Sequence, residues 1–136
     1  MADIRPVVRA LKSRLITVKR FARGEQLAYA ERPFTRDTRI AIAPIGFTDG
    51  YPRLPPGGYA LVHGMRVPIV GTRATEHTVL DVTDVAAAHV GDEAVFLGRQ
   101  GAAEISANEL AAATGVPLIE LVPRIGRMAR RVYCDE

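Results

Sequence analysis

The sequence predicts a mainly β fold, a small antiparallel, Greek-key-like β-barrel with one short α-helix at about residues 106–114. Two observations carry this prediction. Short apolar and β-branched runs recur along the chain between glycine and proline turns, which is typical of antiparallel all-β domains. Only one stretch carries the start and stop signals of a helix. With 136 residues, 48% of them hydrophobic, the chain fits one domain spanning residues 1–136.

The strands are predicted from alternation and β-branched content. They fall at residues 7–21, 38–45, 59–63, 66–70, 75–82, 94–97, 116–122 and 131–133. Gly64 separates two of these runs and predicts a hairpin. Ser106 can cap the helix, Glu109 completes a capping box, and Gly115 supplies the stop. Residues 46–58 hold four glycines and three prolines, so they form a long loop, and long loops in compact domains are often functional.

The charge balance gives little reason to expect a nucleic-acid partner. The net charge is only +3, and the densest basic group is Arg124, Arg127, Arg130 and Arg131. A nucleic-acid surface normally interleaves aromatic residues with such a patch, and here Tyr133 is the only aromatic residue nearby. A solvated or salt-bridged strand is the favoured interpretation of these arginines.

Several other classes are excluded by what the sequence lacks. No apolar run approaches the ~20 residues that cross a bilayer, and residues 1–9 lack the apolar stretch of a signal peptide, so a cytoplasmic location is expected. Cys134 is the only cysteine, so there is no internal disulfide. His63 and His89 have no carboxylates or thiols at metal-ligand spacing, which predicts no metal. Serine-hydrolase, P-loop and dinucleotide motifs are missing.

An ordered set of short strings resembles the C-terminal domain of alanine racemases, which depend on pyridoxal 5′-phosphate (PLP). The strings are collinear over nearly the whole chain, and the set is specific although each member is weak alone. They include Leu11-Lys12-Ser13-Arg14, Arg23-Gly24-Glu25, Arg36-Asp37-Thr38-Arg39-Ile40, Pro44-Ile45-Gly46-Phe47-Thr48-Asp49-Gly50-Tyr51-Pro52-Arg53, Val67-Pro68-Ile69-Val70-Gly71, Val90-Gly91-Asp92-Glu93 and Leu97-Gly98-Arg99-Gln100-Gly101.

The resemblance implies a role beside another domain. In that family an N-terminal (β/α)8 barrel holds PLP on a lysine, and the C-terminal domain of the other subunit completes the active site. A tyrosine of the C-terminal domain is one of two acid/base groups at the substrate α-carbon, and the barrel lysine is the other. Tyr29 matches that tyrosine, with one residue fewer before Asp37 than the family has. Arg53 matches an arginine at the substrate entrance.

Other positions of the implied active face depart from the family. Phe47 stands where a tyrosine is frequent, so a hydroxyl is lost. Thr72 replaces a second entrance arginine, and the string Ala74-Thr75-Glu76-His77 replaces one that helps to receive the substrate carboxylate. The resemblance therefore implies a retained scaffold with a rewritten active face, and Phe47, Asp49, Arg53, Thr75, Glu76 and His77 become the candidate substrate-binding residues.

The chain by itself is not expected to hold PLP or to racemise an amino acid. A PLP site needs a lysine for the Schiff base and a phosphate cradle, and only Lys12 and Lys19 are present, both in the first predicted strand. PLP is expected only if a separate barrel subunit supplies it. Three interpretations stay open. The leading one is a repurposed, small-molecule-binding acid/base enzyme of isomerase, lyase or cyclase type in a biosynthetic pathway. The others are a subunit of a split racemase or epimerase that donates Tyr29 in trans, and a non-catalytic dimerisation or scaffold module.

Candidate chemistry centres on Tyr29 as a general acid or base. Because tyrosine has an ordinary pKa near 10, it needs a nearby cation to act as a base at neutral pH, and Arg53 is the first candidate. Asp49 could orient Arg53 or a substrate, but an aspartate before glycine more often bonds its own turn. Glu76 and His77 are adjacent, so on a strand they would point to opposite faces. His77 is the better proton shuttle of the two.

The expected partners are a small-molecule ligand or a PLP-barrel protein. In full-length racemases each C-terminal domain faces the other subunit's barrel, so a domain without its barrel would expose that face. Because exposed apolar faces of soluble proteins usually end in an interface or a ligand site, self-association as a homo-oligomer is also expected.

Overall fold

The computed structural model describes residues 8–28, 30–53 and 55–134. Within these ranges the chain forms eight strands and two helices. In chain order they are β1 (Leu11–Arg14), β2 (Thr17–Phe21), β3 (Thr38–Ala43), β4 (Tyr59–Val62), β5 (Met65–Pro68), β6 (Thr78–Asp81), β7 (Glu93–Gln100), β8 (Ala103–Ile105), α1 (Ala107–Thr114) and α2 (Leu118–Met128). A 3-10 turn, Phe47–Asp49, lies between β3 and β4. The mainly β prediction is confirmed.

The strands form two antiparallel sheets. The larger has the order β1-β7-β4-β5, with β8 paired to β7, and the smaller has the order β2-β3-β6. In the larger sheet Val62 pairs with Ala94, and in the smaller Ile42 pairs with Val79. Every described pairing is antiparallel, as the short connections require.

The predicted closed barrel is wrong, because the two sheets do not join into one. The run 7–21, predicted as a single strand, breaks after Arg14. Leu15 N–H bonds to Asp92 O and Ile16 N–H bonds to Ile42 O, so consecutive amides serve different sheets. At the opposite corner the described link is an isolated bridge between Ile69 and Leu80. Pro68 has no N–H to donate and ends β5 before a ladder to β6 can form.

Two local predictions are confirmed. The hairpin around Gly64 forms between β4 and β5. Helix α1 begins after Ser106, whose Oγ accepts a hydrogen bond from the Glu109 amide at 3.1 Å. It ends at Gly115, which adopts the left-handed conformation that glycine tolerates best.

The closing strands predicted at 116–122 and 131–133 are wrong. The first of these segments begins helix α2, which runs to Met128 and contains Pro123. The β-branched residues and the internal proline disfavour a helix locally. Burial of Leu121 and Ile125, four residues apart and therefore on one helix face, outweighs that preference. Val132 and Tyr133 are exposed and belong to no strand. The arginine group therefore lies at the end of a helix and beyond it.

The main core lies where the sheets and helices meet. Its fully buried members include residues of both sheets and of α2, namely Leu15, Leu80, Val82, Phe96, Leu121 and Ile125. Leu61, Val95 and Ile105 form a second, smaller cluster. Tyr51, from the long loop, packs edge-on against Phe96 with ring centroids 5.3 Å apart. None of the helices in the described ranges is long and apolar enough to span a membrane.

Candidate functional site

The 3-10 turn Phe47–Asp49 is closed by its own aspartate. The Asp49 Oδ2 atom accepts a hydrogen bond of 3.0 Å from Gly46 N–H. Gly50, at φ +85°, then donates to Phe47 O. A side chain at Gly50 would also place a Cβ 2.6 Å from Arg124 O of helix α2. Asp49 therefore bonds its own turn, as aspartates before glycine commonly do, and Gly50 lets that turn pack against α2.

Backbone hydrogen bonds join this turn to residues 74 and 75. Phe47 N–H donates to Ala74 O at 3.1 Å, and Thr48 N–H donates to Thr75 O at 3.2 Å. The Thr48 hydroxyl donates to the same Thr75 oxygen at 2.8 Å. Gly46 makes the approach possible, since a Cβ there would lie 2.2 Å from Ala74 O. The fold thus places Phe47 and Asp49 beside Thr75, three of the predicted substrate-binding residues.

Glu76 and His77 lie in a bend that precedes β6, whose first residue is Thr78. The bend is held by a hydrogen bond from Ala74 N–H to His77 O at 2.9 Å. Both side chains are exposed. The argument that they point to opposite faces of a strand therefore does not apply, because the predicted strand starts three residues too early.

Arg53 is exposed at the end of the same loop. Among the residues that the structure describes, no hydrogen-bond or ion-pair partner holds its guanidinium. Its charge is therefore available to a molecule or surface outside the described domain. Tyr29 lies outside the described residues, so its acid/base role stays a prediction from the sequence.

Arg73 is a buried cation that the sequence did not reveal as important. Its side chain is 2% exposed. Nε donates to Pro52 O and Nη1 donates to Gly57 O, each at 2.6 Å. The guanidinium carbon lies 4.9 Å from the centroid of the Tyr51 ring, which is the geometry of a cation–π contact. Through these contacts Arg73 holds both ends of segment 52–57 against the core.

Burial shapes the ionisation of both partners in this contact. Burial raises the pKa of Tyr51 to about 12, against the opposing effect of the Arg73 charge. Burial lowers the pKa of Arg73, while Tyr51 acts to raise it. Arginine nonetheless keeps its charge in proteins, so the loop is held by a permanent cation. Its Nη2 atom has no hydrogen-bond partner among the described residues.

A cavity of about 100 Å³ lies between this loop and helix α1. Arg73, Tyr51, Tyr59 and Leu110 are among its lining residues. The candidate substrate-binding residues Phe47, Asp49, Arg53, Thr75, Glu76 and His77 line neither this cavity nor the open concavity beside His63 and Gln100. Arg53, Thr75, Glu76 and His77 are exposed, and Phe47 and Asp49 are half-buried. We call these six residues the loop face.

The lysines of the chain do not fit a PLP site. Lys12 lies on β1, and its Nζ is 3.4 Å from Glu93 Oε2 in an exposed ion pair. Lys19 is exposed on β2. Neither lines a main concavity, and no further lysine exists in the chain. A Schiff base to PLP therefore has no suitable anchor on this chain.

One sequence signal bears on Arg73. Segment 52–57 contains Pro52, Pro55 and Pro56, which offer carbonyl acceptors but no N–H donors. Such a loop needs donors from elsewhere, and arginine supplies five of them. Nothing in the sequence, however, selects Arg73 from the other fifteen arginines, because its burial depends on packing beneath Tyr51.

Comparisons with known proteins agree with this geometry. The family model of the alanine racemase C-terminal domain matches residues 8–133. The chain is 39% identical to an alanine racemase of Sorangium cellulosum over 137 aligned residues, which cover 96% of this chain and 36% of that protein. It is 34% identical to a lysine racemase of Proteus mirabilis, with coverage of 94% and 32%.

Solved structures of alanine racemases contain the same fold. The biosynthetic alanine racemase of Pseudomonas aeruginosa superposes with a TM-score of 0.82 at 31% identity, covering 93% of this chain and 35% of that one. The alanine racemase of Streptomyces coelicolor superposes with a TM-score of 0.83 at 31% identity, with coverage of 93% and 33%. The chain spans about a third of the length of the relatives that it matches. It belongs to the alanine racemase C-terminal domain family.

Proposed function

We propose that this chain completes the active site of a PLP-dependent amino-acid racemase by setting its loop face against a PLP-bearing barrel. One observation carries the proposal. The loop-face residues line neither the cavity beside α1 nor the concavity beside His63, and the exposed Arg53 guanidinium is unpaired among the described residues. An open face with a free cation suits a surface that is completed by a second domain. The barrel can belong to the same polypeptide or to a separate one.

In this proposal the residues of the chain position and protonate the substrate, and PLP on the barrel supplies the electron sink. Tyr29 is the acid/base group on one side of the substrate α-carbon. Arg53 provides the positive charge that attracts a carboxylate and favours the tyrosinate. Arg73 does not touch the substrate, and its part is to fix the loop that carries Arg53.

The substrate proposed is an amino acid with a side chain unlike that of alanine. Thr72 removes a positive charge from the face, and Glu76 and His77 add polar, exposed groups beside Thr75. Such changes alter which side chain is accommodated. Relatives of the chain include a lysine racemase and a broad specificity amino-acid racemase, so substrates other than alanine occur in proteins with this domain.

We do not propose the repurposed cofactor-independent enzyme that was the leading interpretation of the sequence. Acid/base catalysis on a small molecule is favoured by a site that excludes water. The loop face is not enclosed within the described residues, and the cavity beside it, about 100 Å³, is lined by none of the candidate substrate-binding residues. A scaffold role has no observation in its favour. Self-association and a cytoplasmic location stay predictions.

The test is a chimeric enzyme. The Sorangium cellulosum racemase is expressed with the third of its chain that matches this domain replaced by residues 8–134. The chimera should carry PLP, visible in its absorbance, and should racemise at least one amino acid other than alanine in a panel that includes alanine and lysine. The same protein without any C-terminal domain should not. A PLP-loaded, folded chimera that racemises nothing in the panel would contradict the proposal.

A further inference from the structure

Two histidines and an aspartate meet at the far end of β4, away from the loop face. They are His63, His89 and Asp92, and one nitrogen of each histidine and one Asp92 oxygen all lie within 4.8 Å of one another. We call these three side chains the histidine cluster. The sequence predicted no metal because no carboxylate or thiol was seen at metal-ligand spacing from His63 or His89. That argument overlooked Asp92, three residues after His89, and the strand pairing that brings His63 to both.

The register of the larger sheet explains how the cluster forms. Val62, the last residue of β4, pairs with Ala94 of β7. The residues just beyond this pair, His63 on one side and Asp92–Glu93 on the other, must therefore be neighbours. His89 is brought in by a turn in which Asp92 N–H donates to His89 O at 3.2 Å. The three-residue spacing of His89 and Asp92 is visible in the sequence, but only the strand register brings His63 to them.

The distances within the histidine cluster are short. His63 Nε2 lies 2.6 Å from Asp92 Oδ2, and His89 Nδ1 lies 3.2 Å from the same oxygen. The His89 amide also donates to Asp92 Oδ2, at 2.9 Å. Tetrahedral ligands at zinc–nitrogen and zinc–oxygen bond lengths stand about 3.3 Å apart. His89 Nδ1 also lies 2.9 Å from Ala87 O, so binding one ion needs this contact to be given up together with small adjustments of the side chains.

The exposure of the three side chains also allows a metal ion to reach the histidine cluster. The Asp92 side chain is only 14% exposed, while the His63 and His89 side chains are 40% and 73% exposed. The carboxylate is therefore fixed by its surroundings, and both imidazoles can be reached from solvent. His63 and Asp92 also line an open concavity together with Glu93 and Gln100, so a fourth ligand position is open to water.

The backbone at His63 adopts the left-handed conformation of a tight hairpin turn. His63 and Gly64 are the two residues of the hairpin turn, with φ of 51° and 73°. Two-residue turns of this kind strongly favour Asn-Gly or Asp-Gly. His63 is the only non-glycine residue with positive φ in the part of the chain that the structure describes. Histidine, like asparagine and aspartate, is enriched at positive φ, so this turn holds the imidazole of His63 without unusual strain.

We propose that His63, His89 and Asp92 bind one divalent transition-metal ion, with zinc as the best-suited ion. Two imidazole nitrogens and a carboxylate oxygen form a borderline-soft ligand set, which binds zinc in preference to magnesium or calcium. Three protein ligands leave one position for water. The site lies just beyond the end of β4 and shares no residue with the loop face, so it is independent of the proposed racemase function.

The test is zinc binding to the full chain after removal of any affinity tag. All proteins carry Cys134→Ser, so that the only thiol of the chain cannot contribute. Calorimetric titration with zinc chloride should give one ion per chain, and cobalt(II) should give the strong visible absorption of a four-coordinate site. His63→Asn, which suits the hairpin turn, should bind zinc at least about tenfold more weakly, as should His89→Ala.

His77→Ala is the matched control, because it removes the remaining histidine, which is exposed and lies outside the histidine cluster. Its zinc affinity should equal that of the parent. Thermal unfolding of His63→Asn should show that the hairpin is intact. The proposal is overturned if the parent binds no stoichiometric zinc. It is equally overturned if His63→Asn and His89→Ala bind as tightly as the parent, or if His77→Ala loses as much affinity as they do.

Discussion

The guanidinium of Arg73 lies under the ring of Tyr51, 4.9 Å from its centroid, and donates hydrogen bonds to Pro52 O and Gly57 O. No carboxylate of the described residues pairs with this buried cation. Its charge is offset by the two carbonyl oxygens and the ring. The contact connects the core to the loop that carries Arg53, so the arrangement of the loop face depends on a residue that does not belong to it.

Replacing Arg73 with methionine should destabilise the protein by about 2 kcal/mol. Met keeps much of the apolar stem but leaves two carbonyl oxygens without donors, and each unsatisfied buried group costs about 1–3 kcal/mol, while relief of the buried charge offsets part of the cost. Urea denaturation would measure the change. Arg53→Met is the control, and because Arg53 is exposed it should change stability by less than about 0.5 kcal/mol. Equal stabilities for the two variants would contradict the account.

The buried Tyr51 makes stability fall at high pH. Its pKa is about 12 in the folded protein against an ordinary value of 10. Because the folded pKa is the higher one, the unfolded chain loses its proton first, and stability present below pH 10 is lost as the pH rises to 12. The loss is about 2.7 kcal/mol at most. The free energy of unfolding measured from pH 9 to 12 should fall less steeply in Tyr51→Phe, and equal slopes would show that Tyr51 ionises normally.

Gly50→Ala should be more destabilising than Gly57→Ala. Both glycines have a φ near +85°, so alanine suffers similar backbone strain at each, about 1 kcal/mol. A Cβ at position 50 would additionally lie 2.6 Å from Arg124 O, whereas one at position 57 meets nothing within 4 Å. The difference in unfolding free energy isolates the packing of the loop against α2. Equal effects would mean that this contact does not form.

Alanine substitutions in α2 distinguish the observed helix from the strand predicted at 116–122. In the helix Leu121 is buried and Ile119 is 83% exposed. Leu121→Ala should cost about 2–5 kcal/mol, and Ile119→Ala less than about 0.5 kcal/mol. In a strand the two residues would share a face, because side chains two apart point the same way. Similar losses in chemical denaturation would therefore support the strand.

The elements that the sequence predicted well are those fixed by local chemistry. Ser106 and Gly115 mark the ends of α1 because capping depends on residues within one turn. Gly64 marks a hairpin because it adopts positive φ, which a two-residue turn requires and glycine tolerates. The barrel and the last strands were wrong for a non-local reason. Whether residues 7–21 serve one sheet or two, and whether Leu121 faces a core, depends on distant partners.

The candidate site divides in the same way. The position of Phe47 beside Thr75 could be predicted from the sequence, because the resemblance to the family assigns both residues to the same active face. Arg73 was missed because its burial depends on Tyr51 packing above it, and the histidine cluster because it depends on the register of β4 against β7. Residues far apart in sequence carry no local pattern that would join them.

The most direct test of the central claim is hydrogen exchange at the substrate α-carbon in the chimeric racemase carrying Tyr29→Phe. If Tyr29 is one of two acid/base groups, the variant should lose racemisation yet keep deuterium exchange from D2O into one enantiomer, served by the barrel lysine. The parent chimera should exchange both enantiomers. A Tyr29→Phe chimera that racemises at the parent rate, or exchanges both enantiomers equally, would show that this chain does not supply an acid/base group to the reaction.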